Sequence, residues 1–265
     1  MYKDLNKIAI TGFSGSIGKE FPRQCIRLKT RLEENYLKMV RELNNSPNKI
    51  DILIHLSGMV STKECENNPK IAHILNVNGS IKWFLAAEMA NIKKFIFVST
   101  SHVYGIPLNN KIIINTTYKP RPNNVYGKTK LAAENNLKKI FKKKNKTKLL
   151  IARVFSVISN DSREYSLIAE LKKRSINMDY SKINGFYNKR DFLTSKDVAK
   201  NLIKLGLSNS SKLITNICSG RAKTIGDIAC KIFDEANLNN KELIKNNLHQ
   251  LQYKPNSVIG RPTLI

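Results

Sequence analysis

The chain has 265 residues, 41% of them hydrophobic, which suffices for one large domain or for a nucleotide-binding domain carrying a smaller lobe. No apolar run approaches the roughly 18 residues of a membrane span, and no signal-peptide segment is evident. Cys25, Cys65, Cys218 and Cys230 lack the spacing of a zinc site or a disulfide frame, so a cytoplasmic protein without metal or membrane insertion is expected.

The net charge of +26 invites a nucleic-acid reading, but the lysines are spread along the whole chain. Their densest run, Lys138 to Lys148, lacks interleaved aromatics, so nucleic acid is not the expected partner.

In chain order, Lys7 to Thr11 reads as a short apolar strand closed by Gly12, followed by a glycine-spaced turn into a helix that Pro22 keeps short. Residues 25–30 read as a second strand. Tyr36, Leu37, Val40 and Leu43 set a helical stripe over 33–44. A buried strand is expected over 50–56, a long helix over 69–90 with Pro69 near its start, and a strand over 94–99. A helix over 125–141 and a strand over 148–154 complete the alternation.

Such alternation predicts an α/β fold, a doubly wound parallel-sheet Rossmann domain, over residues 1–158. Beyond about 159 the pattern turns irregular, with helices near 163–174, 195–207 and 224–236 and a short strand at 213–217. A small α/β substrate-binding lobe is expected over 159–265, with helix 195–207 packing back on the first domain.

Gly12, Gly15 and Gly18 lie in Thr11-Gly12-Phe13-Ser14-Gly15-Ser16-Ile17-Gly18, between strand and helix. That context predicts a dinucleotide-binding turn: Gly12 allows the tight bend, Gly15 the approach of a pyrophosphate, and Gly18 the packing of helix on sheet. Beyond the second strand an acidic residue would favour NAD and a basic one NADP. Lys29, Thr30 and Arg31 stand there, with Glu33 and Glu34 just beyond, leaning slightly to NADP and leaving NAD open.

Tyr126 and Lys130 are four apart in a helical segment and share a face. A fixed ammonium beside a phenol favours phenolate and suits it to proton transfer. Thr100, at a strand end, can hold the oxygen that gains or loses the proton. His102 either reaches a substrate or merely lines the cleft. His55, His73 and His249 read as structural, and Arg153 as an anchor for its strand.

Taken in order, TGFSGSIG (11–18), IDILIHLSG (50–58), LNVNGS (75–80), FVSTSHVYG (97–105), YGKTK (126–130), IARVFSV (151–157), KRDFLTSKDVA (189–199) and TNICSGRAKTIGDIA (215–229) resemble the extended short-chain dehydrogenase/reductase family. These are the NAD(P)-dependent sugar-nucleotide epimerases, dehydratases and reductases, and the resemblance covers about residues 7 to 235.

It implies a catalytic set of Thr100, Tyr126 and Lys130. The cofactor would meet the 12–18 loop, Arg31, Leu56, Ser57, Gly58, Asn76, Ser99 and Phe155, and a nucleotide-diphosphate sugar would meet His102, Ser156 and Arg190. It further implies a homodimer through helices 69–90 and 125–141, where Trp83, Phe84 and Leu85 fit either an interface or the core.

The departures are informative. Ser101 and His102 stand where the family's dehydratases carry Asp-Glu, which argues against dehydration. The short stretch between Gly12 and Ile50 implies one strand-helix unit fewer than usual, and the early end of the chain implies a small substrate lobe. The expected activity is NAD(P)-dependent oxidoreduction at C4 of a nucleotide sugar, epimerisation ahead of one-way reduction, with a non-catalytic dinucleotide- or RNA-binding protein as the alternative from another class.

Overall fold

The computed structural model describes residues 4–107, 109, 112–144, 146–159 and 167–263, so positions 163–166 of the helix expected over 163–174 lie outside the described residues. Strands β1 (Ile8–Thr11) and β2 (Ile26–Arg27) are followed by helix α1 (Tyr36–Asn44) and strand β3 (Ile52–His55). Helices α2 (Thr62–Asn67), α3 (Pro69–His73) and α4 (Gly79–Met89) lead to strand β4 (Lys94–Thr100). Then come β5 (Ile113–Ile114), α5 (Val125–Lys144), β6 (Lys148–Val154), β7 (Ser156–Ile158) and α6 (Leu167–Ile176). The remainder is β8 (Lys189–Thr194), α7 (Ser195–Leu207), β9 (Ile214–Ile217), β10 (Ala222–Thr224), α8 (Ile225–Glu235), α9 (Asn240–Asn247) and β11 (Ser257–Gly260).

Six parallel strands form the first sheet in the order β2-β1-β3-β4-β6-β9. A doubly wound sheet of order 3-2-1-4-5-6 carries two strands outside its first; here only β2 lies there, as the short spacing implied. The pleat sorts side chains by parity. Leu53, Phe95, Phe97, Leu149 and Ile151 face α1, α4 and α5, whereas Ile52, Ile54, Ile96, Val98, Leu150 and Ala152 face α7. Helix α7 packs through Val198, Ala199, Leu202 and Ile203, and strand β9 pairs with β6. The chain after 159 thus contributes both a helix and a strand to the first sheet.

The second sheet runs β10-β8-β11-β5, with β7 alongside β8, and is backed by α6, α8 and α9 around Leu171, Ile232, Phe233 and Leu243. Asp191 joins the two sheets. It is fully buried on β8 and accepts from Ser219 N (2.7 Å), Ser219 Oγ (2.7 Å), Gly220 N (2.8 Å) and Gly260 N (3.3 Å).

Three local departures from the sequence expectation have physical causes. Where an α-helix was expected after the glycine turn there is only a three-residue 3-10 turn, Gly18–Glu20. Pro22 holds Phe21 extended (φ −71°, ψ 139°), which stops the helix before it can propagate. The strand expected over 25–30 keeps two paired residues, and α1 starts at Tyr36 because Asn35 caps Leu37 N at 3.0 Å. The helix expected over 69–90 runs continuously to Met89, its backbone helical through both junctions, but widens to a π-helical segment, Ile74–Asn78, between α3 and α4. Trp83 and Phe84 are fully buried in the protomer's own core.

Candidate active site

The 12–18 loop caps the carboxyl end of β1. Gly12 is left-handed (φ +67°), and Gly15 N bonds Gly12 O at 2.9 Å to close the bend. A Cβ on Gly12 would lie 2.9 Å from Ser57 N, and one on Gly18 would overlap the Gly12 carbonyl. The loop therefore rests directly on Leu56 and Ser57, a cradle that only glycines permit and that fits close approach of a pyrophosphate. Phe13 and Ile17 pack partly into the core, Ser14 is exposed, and Ser16 is half-buried.

A buried hydrogen-bonded chain links this loop to the helix that carries Tyr126. Thr11 Oγ1 accepts from Leu56 N and Ser57 N, both at 3.1 Å, which leaves its proton for His55 Nδ1 at 2.9 Å. His55 Nε2 then meets Ser80 Oγ at 3.1 Å, and Ser80 donates to Asn76 O at 2.7 Å. Asn76, in the π-helical segment, grips Met59 through both N (2.8 Å) and O (3.0 Å) and reaches Thr129 Oγ1 at 3.1 Å. Thr129 in turn donates to Tyr126 O at 2.9 Å. Burial pushes the His55 imidazole down to about 3, with the Lys130 charge adding to the effect, so the ring stays a neutral link. Gly58 must lack a Cβ, since one would lie 2.6 Å from Asn76 Oδ1.

Tyr126 and Thr100 meet, and Lys130 follows one turn along the same helix. The Tyr126 phenol hydrogen-bonds the buried Thr100 hydroxyl, which also accepts from His102 N at 3.2 Å. Lys130 is buried, with Nζ 4.3 Å above the Phe97 ring. Burial lowers its ammonium to about 8 against the support of Glu134. Burial pushes the Tyr126 phenol up to about 12 and outweighs the Thr100 bond.

His102 ties this group to a cleft of about 160 Å³ lined by Ser101, Asn123, Asn124, Ser156 and Arg190 among others. Its ring meets Tyr126 edge-on at 5.5 Å, and its Nδ1 accepts from Asn124 Nδ2 at 2.9 Å. Arg190 rests on Lys189 O at 2.8 Å, at the edge of the same cleft.

Ser99 shares the face of Phe95 and Phe97, and its hydroxyl donates to Glu134 Oε1 at 2.6 Å beneath α5. Phe155 is buried with Tyr104, Cys218 and Val258. Arg153, expected as an anchor, is buried and pairs with Glu134 through Nε (3.0 Å) and Nη2 (2.6 Å). Glu134, Asn124, Thr11 and Thr129 were missed, although Glu134 extends the 126/130 stripe by one further turn.

Arg31 lines a separate pocket of about 430 Å³ at the end of β2, with Lys29, Thr30, Lys38 and Arg41. Of its carboxylates, Glu42 accepts from Lys29 N (2.5 Å) and Thr30 N (3.0 Å), and Glu34 pairs with Lys38 at 2.8 Å. No helix among the described residues is long and apolar enough to cross a membrane.

The chain is 25% identical over 236 residues to the GDP-6-deoxy-D-mannose reductase of Pseudomonas aeruginosa, covering 84% of this chain and 77% of that protein. It is 29% identical over 110 residues to UDP-glucose 4-epimerase 2 of Oryza sativa subsp. japonica, a match that spans 42% of this chain but only 26% of the rice protein. Among solved structures, UDP-glucose 4-epimerase of Thermotoga maritima with UDP-glucose superposes with a TM-score of 0.79 at 20% identity, covering 97% and 90% of the two chains. RMD from Pseudomonas aeruginosa complexed with NADPH superposes with a TM-score of 0.74 at 22% identity, covering 88% and 83%. The family model of the NAD dependent epimerase/dehydratase family matches residues 8–218. With that match over most of its length, the chain belongs to the NAD dependent epimerase/dehydratase family.

Proposed function

We propose that the chain is an NAD(P)-dependent oxidoreductase acting at C4 of a nucleotide-diphosphate sugar. The observation that supports this is the Tyr126–Thr100 pair, with Lys130 one turn further along the same helix, beside a cleft lined by His102 and Arg190. A bound nicotinamide supplies hydride acceptance and return. Tyr126 exchanges the proton between its oxygen and the C4 oxygen, so that oxidation breaks one C–H and one O–H bond and reduction re-forms both. Thr100 orients the C4 oxygen through its hydroxyl, and Lys130 supplies positive charge one turn away. Arg190 suits a diphosphate, through forked donors of fixed charge.

One observation favours one-way reduction of a 4-keto sugar over epimerisation. The pocket at the end of β2 offers Lys29, Arg31, Lys38 and Arg41 against Glu34 and Glu42, a surplus of cations suited to a 2′-phosphate and so to NADP. A homodimer is supported by exposed Ile71, Ile74 and Met89 along the 69–90 segment, and sedimentation would test it. The proposed setting is the cytoplasm, in sugar-nucleotide supply for surface polysaccharide.

Tyr126→Phe tests the core of the proposal. Turnover should fall by at least about a hundredfold, the usual share of a general acid, with NADP(H) affinity nearly unchanged; retained turnover refutes it. Stoichiometric NADPH consumption with a 4-keto sugar separates reduction from epimerisation, which needs no added coenzyme.

A further inference from the structure

His102, which lines the cleft beside the Tyr126–Thr100 pair, is held in one tautomer by the first turn of α5. Asn124 caps that turn, its Oδ1 accepting from Gly127 N at 2.7 Å. A backbone N–H can donate only to the amide oxygen, so the atom that meets His102 Nδ1 at 2.9 Å is Asn124 Nδ2. An NH₂ group donates and does not accept. Nδ1 is therefore the lone-pair nitrogen, and the proton of the neutral ring sits on Nε2.

The rest of the residue is equally fixed. His102 N donates to Thr100 Oγ1 at 3.2 Å, and His102 O accepts from Gly105 N at 3.2 Å. The ring stands edge-on to Tyr126 with centroids 5.5 Å apart, and the residue is exposed on the cleft. Nε2 has no partner among the described residues. Taking a second proton on Nδ1 costs the Asn124 bond, and Nε2 already carries one, so the ring serves as a donor and not as a base. The other titratable groups around the cleft and the start of α5 are Tyr126 on α5, Arg190 on β8 and Glu66 on α2, whose carboxylate accepts from Val125 N at 2.8 Å.

We propose that His102 is a specificity-determining donor: its Nε2–H, set by Asn124, selects a sugar that carries an acceptor oxygen on a carbon beside the one Tyr126 serves. Asn124 is the positioning residue. The identity of the ligand rests on the activity proposed above; the tautomer does not.

Two-bond proton–nitrogen NMR of the histidines reads the tautomer, with His102→Gln assigning the signal. The native ring should carry its proton on Nε2. Asn124→Asp keeps the helix cap but offers a carboxylate to Nδ1, which should move the proton to Nδ1 and raise the ring's midpoint by about one pH unit. Binding is read by calorimetry with UDP-glucose and GDP-mannose, against UDP and GDP as controls without the sugar. At about pH 9 the N124D ring is neutral with Nε2 bare, and both nucleotide sugars should bind about tenfold more weakly; at about pH 6 the imidazolium should restore native affinity. His102→Leu should show the loss at both pH values, with UDP and GDP unaffected throughout. A native ring protonated on Nδ1, or native affinity for the nucleotide sugars in His102→Leu, overturns the proposal. If the tautomers behave as stated while neither nucleotide sugar binds the native protein, the Asn124 positioning role stands and the proposed activity falls.

Discussion

Replacing Asp191 with Asn removes a charge and one acceptor while leaving the volume unchanged. The native carboxylate, itself fully buried, receives two bonds from Ser219, one from Gly220 and one from Gly260. An amide keeps one oxygen and turns an NH₂ group toward donors. Either flip forfeits a pair of these bonds, from Ser219 or from the two glycines. At about 1.5–3 kcal/mol for each bond to a charged group, and with the Gly260 contact long, D191N should lose about 3 kcal/mol or more. Urea denaturation followed by circular dichroism reads that quantity directly. Because Arg190 is the preceding residue on β8, the KM for nucleotide sugar should also rise. A loss below about 1 kcal/mol would refute the view that this carboxylate joins the two sheets.

Other perturbations follow from the same geometry. His55 is held neutral down to about pH 3, whereas unfolded histidine titrates near 6.5. Below 6.5 the unfolded chain therefore binds the extra proton, and stability falls as pH drops. At pH 4.5, two units below, this contributes about 2.7 kcal/mol of destabilisation, and His55→Gln should flatten that part of the urea-measured profile. Arg31→Ala should raise the KM for NADPH about tenfold, near the worth of one charge-assisted contact, and leave that for NADH unchanged; equal effects on both would remove Arg31 from coenzyme selection.

The first sheet was legible because its strands are buried on both faces and read as continuous apolar runs: Lys148–Val154 matches residue for residue, and helix Ser195–Leu207 likewise. The second sheet was not. Strands such as Lys189–Thr194 and Ser257–Gly260 mix polar with apolar residues and are defined by partners distant in sequence. The π-helical segment Ile74–Asn78 carries no compositional mark, although it is where Asn76 gains its reach to Met59 and Thr129. The placement of Ser99 was within reach of the sequence, since the alternation of Phe95, Phe97 and Ser99 already assigns it to the side of α5. The glycine loop and the Thr-Tyr-Lys group were legible because their chemistry depends on short spacings.

The three-residue turn after Gly18 has a bearing on how long coenzyme stays. A full α-helix would aim about half an elementary charge of aligned peptide dipole at the bound pyrophosphate; a turn of this length has almost none to aim. Retention must then lean on side-chain cations, whose grip slackens as ionic strength rises. On the proposed one-way reduction, coenzyme held in this way would exchange at each cycle, and output would track the ratio of reduced to oxidised nucleotide in the surrounding pool.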